Sequence, residues 1–214
     1  MSGARILLRA KSGARVGRGH VARSAAVAEA LAELGAEPLL VLDDAGEVPG
    51  LVARGLAAVA VAARPDWARE PAGAAWLDGF VDRSAELRQL ARCGTPSYLV
   101  ENRTPCREFA RFVVQPNLYD RRDAWERVHA ARVLAGPQWV PLARSVLAQP
   151  ACERDLELLV TFGGSDPCGS TERVLAALPA GLRVDVSIGD HMEPRRAAIA
   201  RAARHLSAEL LQTG

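Results

Sequence analysis

The sequence predicts an α/β protein on a Rossmann-like parallel sheet, and three observations predict it. Short apolar runs alternate with stretches of helical periodicity from the first residues onward. Arg5 to Arg9, then Val27, Leu31 and Leu34 at helical spacing, then Leu39 to Leu42 make a strand, a helix and a strand, the βαβ unit that implies parallel pairing. A second strand, glycine loop and helix opens at Leu156, so the two parts of the chain begin alike.

The elements follow in order. The first helix is expected from about His20 to Leu34, with Gly35 just past its end where a C-terminal cap favours glycine. Glu37-Pro38 leads into the second strand. Leu51 to Ala57 reads as a helix and Ala58 to Ala62 as a strand, and the two prolines in Arg64 to Ala75 mark irregular chain. Trp76 to Phe80 reads as a strand end, Ser84 to Ala91 as a helix, and Pro96 to Val100 and Phe112 to Val114 as strands. Val133 to Pro137 reads as a turn toward Trp139. Pro141 and Pro150 in an aperiodic stretch place a boundary there. The expected division is an N-terminal Rossmann-like domain at 1–142, a linker at 143–155 and a partial second Rossmann-like domain at 156–214. In the latter, Leu156 to Phe162 is a strand, Thr171 to Leu178 a helix, Val184 to Ile188 a strand, and Glu193 to Leu211 largely helical.

Composition excludes several classes. A net charge of +2 gives no bulk attraction to nucleic acid or to anionic membrane. Nearly all basic residues are arginine, and Lys11 is the only lysine. No apolar run reaches the length of a membrane span, and the first residues lack the layout of a signal peptide, so a cytoplasmic protein is expected. Cys93, Cys106, Cys152 and Cys168 have no metal-ligand spacing and read as reduced thiols. No metal and no cofactor are expected. The partner is a small molecule, and the oligomeric state is left open.

Two loops carry the chemistry. Gly17-Arg18-Gly19-His20 lies between the first strand and the first helix. Glycines let a ligand approach the backbone, and a helix start offers unpaired N–H groups to negative charge. There the dipole favours a neutral imidazole on His20, able to take a proton. A plain tight turn is the alternative. The dinucleotide fingerprint fails because Ala22 holds its third glycine position, although Asp43 and Asp44 stand near the acidic one, and the Gly-Lys-Ser/Thr of a P-loop is missing. The second loop, Gly163 to Asp166, follows a strand at the edge where open α/β sheets bind ligands. Its alternative is a glycine turn with Asp166 or Ser170 capping the next helix. Asp78 is a carboxylate at a strand end, Asn117 a possible ligand donor or turn residue, and His191 follows a strand end at Gly189-Asp190. His129 and His205 read as surface residues.

Taken in order, Arg9, Gly17-Arg18-Gly19-His20-Val21, Arg23, Asp78-Gly79-Phe80, Gln115-Pro116-Asn117, Ala135 to Trp139 and Val160 to Pro167 resemble one family. It is the UDP-sugar hydrolases of pseudaminic acid biosynthesis, with their spore-coat polysaccharide relatives. The resemblance implies a glycosyltransferase-B-like architecture and release of UDP from a UDP-diacetamido-trideoxy sugar, with water attacking the anomeric carbon without a metal. It implies His20 as the catalytic base. It also implies substrate contacts at Arg9, Gly17, Gly19, Arg23, Asp78, Asn117, Gly163, Gly164, Ser165 and Asp166. This chain departs from the pattern at Lys11, where the family has an acidic residue, and at Glu101-Asn102, where it has an acidic pair. It also ends at Gly214, before the family's later nucleotide-contacting segment, so a truncated or shortened second domain is expected. Two alternatives stand beside hydrolysis: transfer of the sugar to an acceptor, and non-catalytic binding of a nucleotide sugar, which Lys11 favours.

Overall fold

The computed structural model describes residues 3–13, 16–117, 132–150 and 157–213. His129, Cys152, Leu156 and the end of the expected linker lie outside the described residues. The chain divides into two compact units, Met1–Gly13 with His20–Ala148, and Ala14–Gly19 with Gln149–Gly214.

The first unit is a seven-stranded parallel sheet. Its strands are β1 (Arg5–Ala10), β2 (Glu37–Leu42), β3 (Ala58–Ala60), β4 (Ala74–Asp78), β5 (Ser97–Val100), β6 (Phe112–Gln115) and β7 (Arg132–Ala135), in the order β3-β2-β1-β4-β5-β6-β7. Helices α1 (Gly19–Glu33), α2 (Val48–Ala53), α3 (Ser84–Arg92) and α4 (Arg144–Leu147) belong to it.

Adjacent residues of each strand point to opposite faces, so the apolar runs split into two cores. Leu7, Leu39, Val41 and Leu77 meet Leu87 and Leu90 of α3 on one face. Leu8, Leu40 and Leu42 meet Val21, Ala25 and Ala28 of α1 and Leu51 of α2 on the other. Ala25, Ala26 and Ala28 bury a face of α1 that carries little bulk. Its end matches the sequence reading. Gly35 has φ of 81°, and its N–H and that of Ala36 bond back to the carbonyls of Ala32 and Leu31.

The second unit is a three-stranded parallel sheet of β8 (Leu158–Val160), β9 (Arg183–Gly189) and β10 (Ser207–Thr213), in the order β10-β9-β8. Helices α5 (Ser170–Ala177) and α6 (Arg196–Ala202) connect the strands. Val160, Leu175, Val184, Val186, Ile188, Met192 and Ile199 form its core.

Four readings are corrected. Val133 to Ala135 is not a turn but β7, because β6 supplies a paired edge for a run too short to stand out in sequence. The helix expected over Glu193 to Leu211 survives as a 3-10 turn through Arg195 and as α6; Ser207–Thr213 pairs along β9 instead, and tertiary pairing overrides the helix propensity of Ala208, Glu209, Leu210 and Leu211. The stretch Arg64 to Ala75 holds a short 3-10 turn that buries Trp67, and β4 already begins at Ala74. The strand expected to reach Phe80 stops at Asp78, since Gly79 takes φ of 150° and turns the chain.

Candidate functional site

In a sheet of this order the connections diverge between β1 and β4, and the crevice outside the strand ends at that point is where open α/β sheets take ligands. The register brings Ala10 level with Asp78, and Asp78 level with Val100. Lys11, Asp43, Gly79, Glu101 and Asn117 therefore all follow strand ends on one edge of the sheet.

His20 is the second residue of α1 and is buried. Its Nδ1 lies 2.7 Å from Oδ1 of Asp78, which closes β4 and is fully buried. Arg23, one turn along α1, grips the same carboxylate with one edge of its fork: Nε donates to Oδ2 and Nη2 to Oδ1, each at 2.7 Å. Its Nη1 donates to Glu101. A carboxylate held in an ion pair offers only acceptors, so Nδ1 of His20 carries the hydrogen and donates. The ring's basic nitrogen is then Nε2. Burial works against the Arg23 charge, but Asp78 and Glu101 outweigh it and lift its pKa above the ordinary arginine value. Phe80 meets the His20 ring edge-on, with centroids 4.8 Å apart, and remains 63% exposed, which leaves an aromatic face open beside the histidine.

A second polar cluster adjoins the first. Arg9 is buried; its Nη1 donates to the carbonyls of Ala10 and Val41, its Nε to Glu86, and its Nη2 to Asp43. Lys11 Nζ stands 3.3 Å from Asp43. Burial pushes the Asp43 carboxyl up, but the Arg9 hydrogen bond and the charges of Arg9, Arg83 and Lys11 outweigh it and hold it below the ordinary carboxylate range. Asn102 is fully buried and structural: its amide donates to the carbonyls of Gly79 and Val81, and its oxygen accepts from Thr104.

His20, Arg23 and Asp78 thus come together in the first unit, Arg9 belongs instead to the cluster with Asp43 and Glu86, and Asn117, half-buried, lies two residues beyond β6. Sequence reasoning named Asp43 only for its place near the fingerprint's acidic position, and it did not single out Arg83 and Glu86. Only their positions just after or at the start of an element could have signalled them. Gly17 is buried with φ of 73°, a conformation that needs glycine, and exposed Gly19 opens α1. Among the described residues, no group of three or more His, Cys, Asp or Glu side chains is placed to hold a metal ion.

In the second unit, Gly163 (φ of 74°), Gly164 and Ser165 follow β8. Gly164 packs its backbone against Gly189 at the end of β9, where a Cβ would collide with it. Asp166 is buried, and both its oxygens serve the start of α5: Oδ1 accepts from the Ser170 N–H at 2.8 Å and Oδ2 from that of Thr171 at 2.9 Å. Arg195 adds a bond from Nη1 to the Asp166 carbonyl. That is the capping role. Burial pushes the Asp166 carboxyl up, but the two N–H bonds and the Arg195 charge outweigh it, so its pKa lies below the ordinary value. Its contribution to stability is therefore complete above the unfolded value of about 3.9 and is lost as pH falls through the lower folded value. Asp166→Ala is expected to cost about 1.5–3 kcal/mol at neutral pH. It should also flatten the acid limb of urea-unfolding stability between neutrality and acid pH. An unchanged acid limb would remove Asp166 from that role. His191 and His205 are exposed, the latter with Nε2 at 2.9 Å from the Leu178 carbonyl.

No helix among the described residues is long and apolar enough to cross a membrane. No protein-family model matches the chain. No curated protein matches it. Among solved structures, MurG of Acinetobacter baumannii is similar: at 14% identity the match covers 99% of this chain and 68% of that one, with a TM-score of 0.55. At that identity the likeness speaks for the fold alone, and this chain has an α/β, glycosyltransferase-B-like fold: a Rossmann-like parallel sheet followed in the chain by a unit with a three-stranded parallel sheet.

Proposed function

We propose that the chain is a nucleotide-sugar hydrolase that releases UDP from a UDP-diacetamido-trideoxy sugar, with His20 as general base. The observation that carries this reading is the 2.7 Å contact between His20 Nδ1 and the buried Asp78 at the switch point of the sheet. Such a pairing fixes one tautomer and leaves Nε2 to take a proton from water. The water oxygen bonds to the anomeric carbon, the bond from that carbon to the phosphate oxygen breaks, and UDP leaves with the electron pair. Arg23 and Asp78, spent on each other and on His20, act as positioning residues in this scheme. Asn117 and the Phe80 face offer a polar group and an apolar surface to the sugar. The family resemblance supplies the substrate and the metal-free route.

A second reading, transfer of the sugar to an acceptor, is favoured by the glycosyltransferase-B-like fold. Incubation of the full chain with the UDP-sugar in 18O-labelled water separates the two. Hydrolysis puts one 18O on the free sugar and none on UDP. Transfer gives an acceptor adduct without the label. Absence of UDP release in both settings would end both enzymatic readings.

A further inference from the structure

Three cations, Arg9, Lys11 and Arg83, crowd the ends of β1 and β4 and the start of α3, against two carboxylates, Asp43 and Glu86. One positive charge is left unbalanced. Asp82 is exposed, turns to the N–H and hydroxyl of Ser84, and makes no ion pair with Arg9, Lys11 or Arg83 among the described residues. Asp78 is committed to His20 and Arg23.

The imbalance is localised on Arg83. Its side chain is only 6% exposed, and its Nη1 donates to both oxygens of Glu86 at 3.2 and 3.0 Å. Its Nε and Nη2 are buried and find no acceptor among the described residues. Those two nitrogens form the edge of the fork that matches two oxygens at once. Arg23 uses that same edge to hold both oxygens of Asp78. Gly79 adjoins both Lys11 and Arg83: a Cβ there would lie 2.7 Å from the Lys11 Cβ and 3.7 Å from Arg83 Nη2. A buried guanidinium with two unpartnered donors on one edge, beside a lysine and near the glycine that follows Asp78, is built for an oxyanion.

We propose that the Nε–Nη2 edge of Arg83, together with Lys11, is an anion subsite that takes a carboxylate or phosphate group of the ligand. The proposal rests on the nucleotide-sugar reading only for which molecule carries that group. It gives Lys11 a role: a cation at this position selects a ligand with a negative group on that side.

The test is calorimetric titration of the full chain with inorganic phosphate and, separately, with acetate, at constant ionic strength. The wild-type chain binds one of them saturably, and Arg83→Met weakens that binding at least about tenfold, the size of one charge-assisted bidentate contact. Lys11→Met weakens it less. Tighter phosphate binding assigns a phosphate group, and tighter acetate binding assigns a carboxylate, which the diacetamido sugar lacks and a different ligand would have to carry. Should Arg83→Met not fold, as judged by circular dichroism, Arg83→Lys is used. It keeps the charge, loses the fork, and is expected to lose affinity too. Saturable binding that is unchanged in the Arg83 variant overturns the proposal, and so does the absence of saturable binding to the folded wild type. Binding is read without turnover, so its failure leaves the hydrolysis reading standing, and a chain inert toward UDP-sugars can still show it.

Discussion

Replacing His20 by alanine is expected to lower the rate of UDP release by about 10²–10⁴-fold, the range supplied by a positioned general base. The loss should fall on kcat, with the affinity for UDP left as it was. The reason is geometric. His20 is held through Nδ1 by Asp78 and braced edge-on by Phe80, so its position is fixed before any ligand arrives. Fixing a base in advance removes an orientational cost from the reaction step. Steady-state kinetics of the substituted chain decide the matter: turnover equal to that of the wild type excludes His20 as the base, whatever the substrate proves to be.

Asp78→Asn is expected to have the largest combined effect. The carboxylate is fully buried and serves two partners at once. Removing its charge leaves Arg23 with Glu101 as its remaining carboxylate, and leaving a buried charge short of its partner costs about 3–5 kcal/mol. The amide also offers both a donor and an acceptor, so it no longer selects the tautomer of His20. We expect kcat to fall by about 10²-fold or more with little change in KM. Urea unfolding measures the first effect and steady-state kinetics the second. If stability drops while kcat holds, Asp78 supports the fold and has no part in orienting the base.

The fold of the first unit was legible because its strands are buried on both faces and its helices carry clear punctuation. Leu39 to Leu42 is apolar at every position since two cores claim alternate residues. Gly35 marks a helix end by its conformation. Legibility failed where pairing rather than composition decides structure. Nothing in Ser207–Thr213 favours a strand over a helix until β9 offers it an edge. Arg132–Ala135 likewise becomes a strand through β6. At the site, Gly17 to His20 and Asp78 stood out because each sits at a junction of elements. In the second polar cluster Arg9 and Lys11 stood out and Asp43 was noted at a strand end, but Arg83 and Glu86 did not, because they are common surface residue types and only packing shows that Arg83 is enclosed. Asp166 was read either as a ligand residue or as the cap of the next helix, and its hydrogen bonds match the cap.

Lys11 has a consequence for experiment. In a chain whose other basic side chains are arginine and histidine, the sole side-chain amine stands at the carboxyl edge of the sheet, paired with Asp43. A reagent specific for lysine amines therefore has one side-chain address on this molecule, and it lies beside the candidate ligand crevice. Protection of that amine from acylation reports occupancy at that edge directly, by mass spectrometry, with no assay for the reaction and no label introduced by mutation.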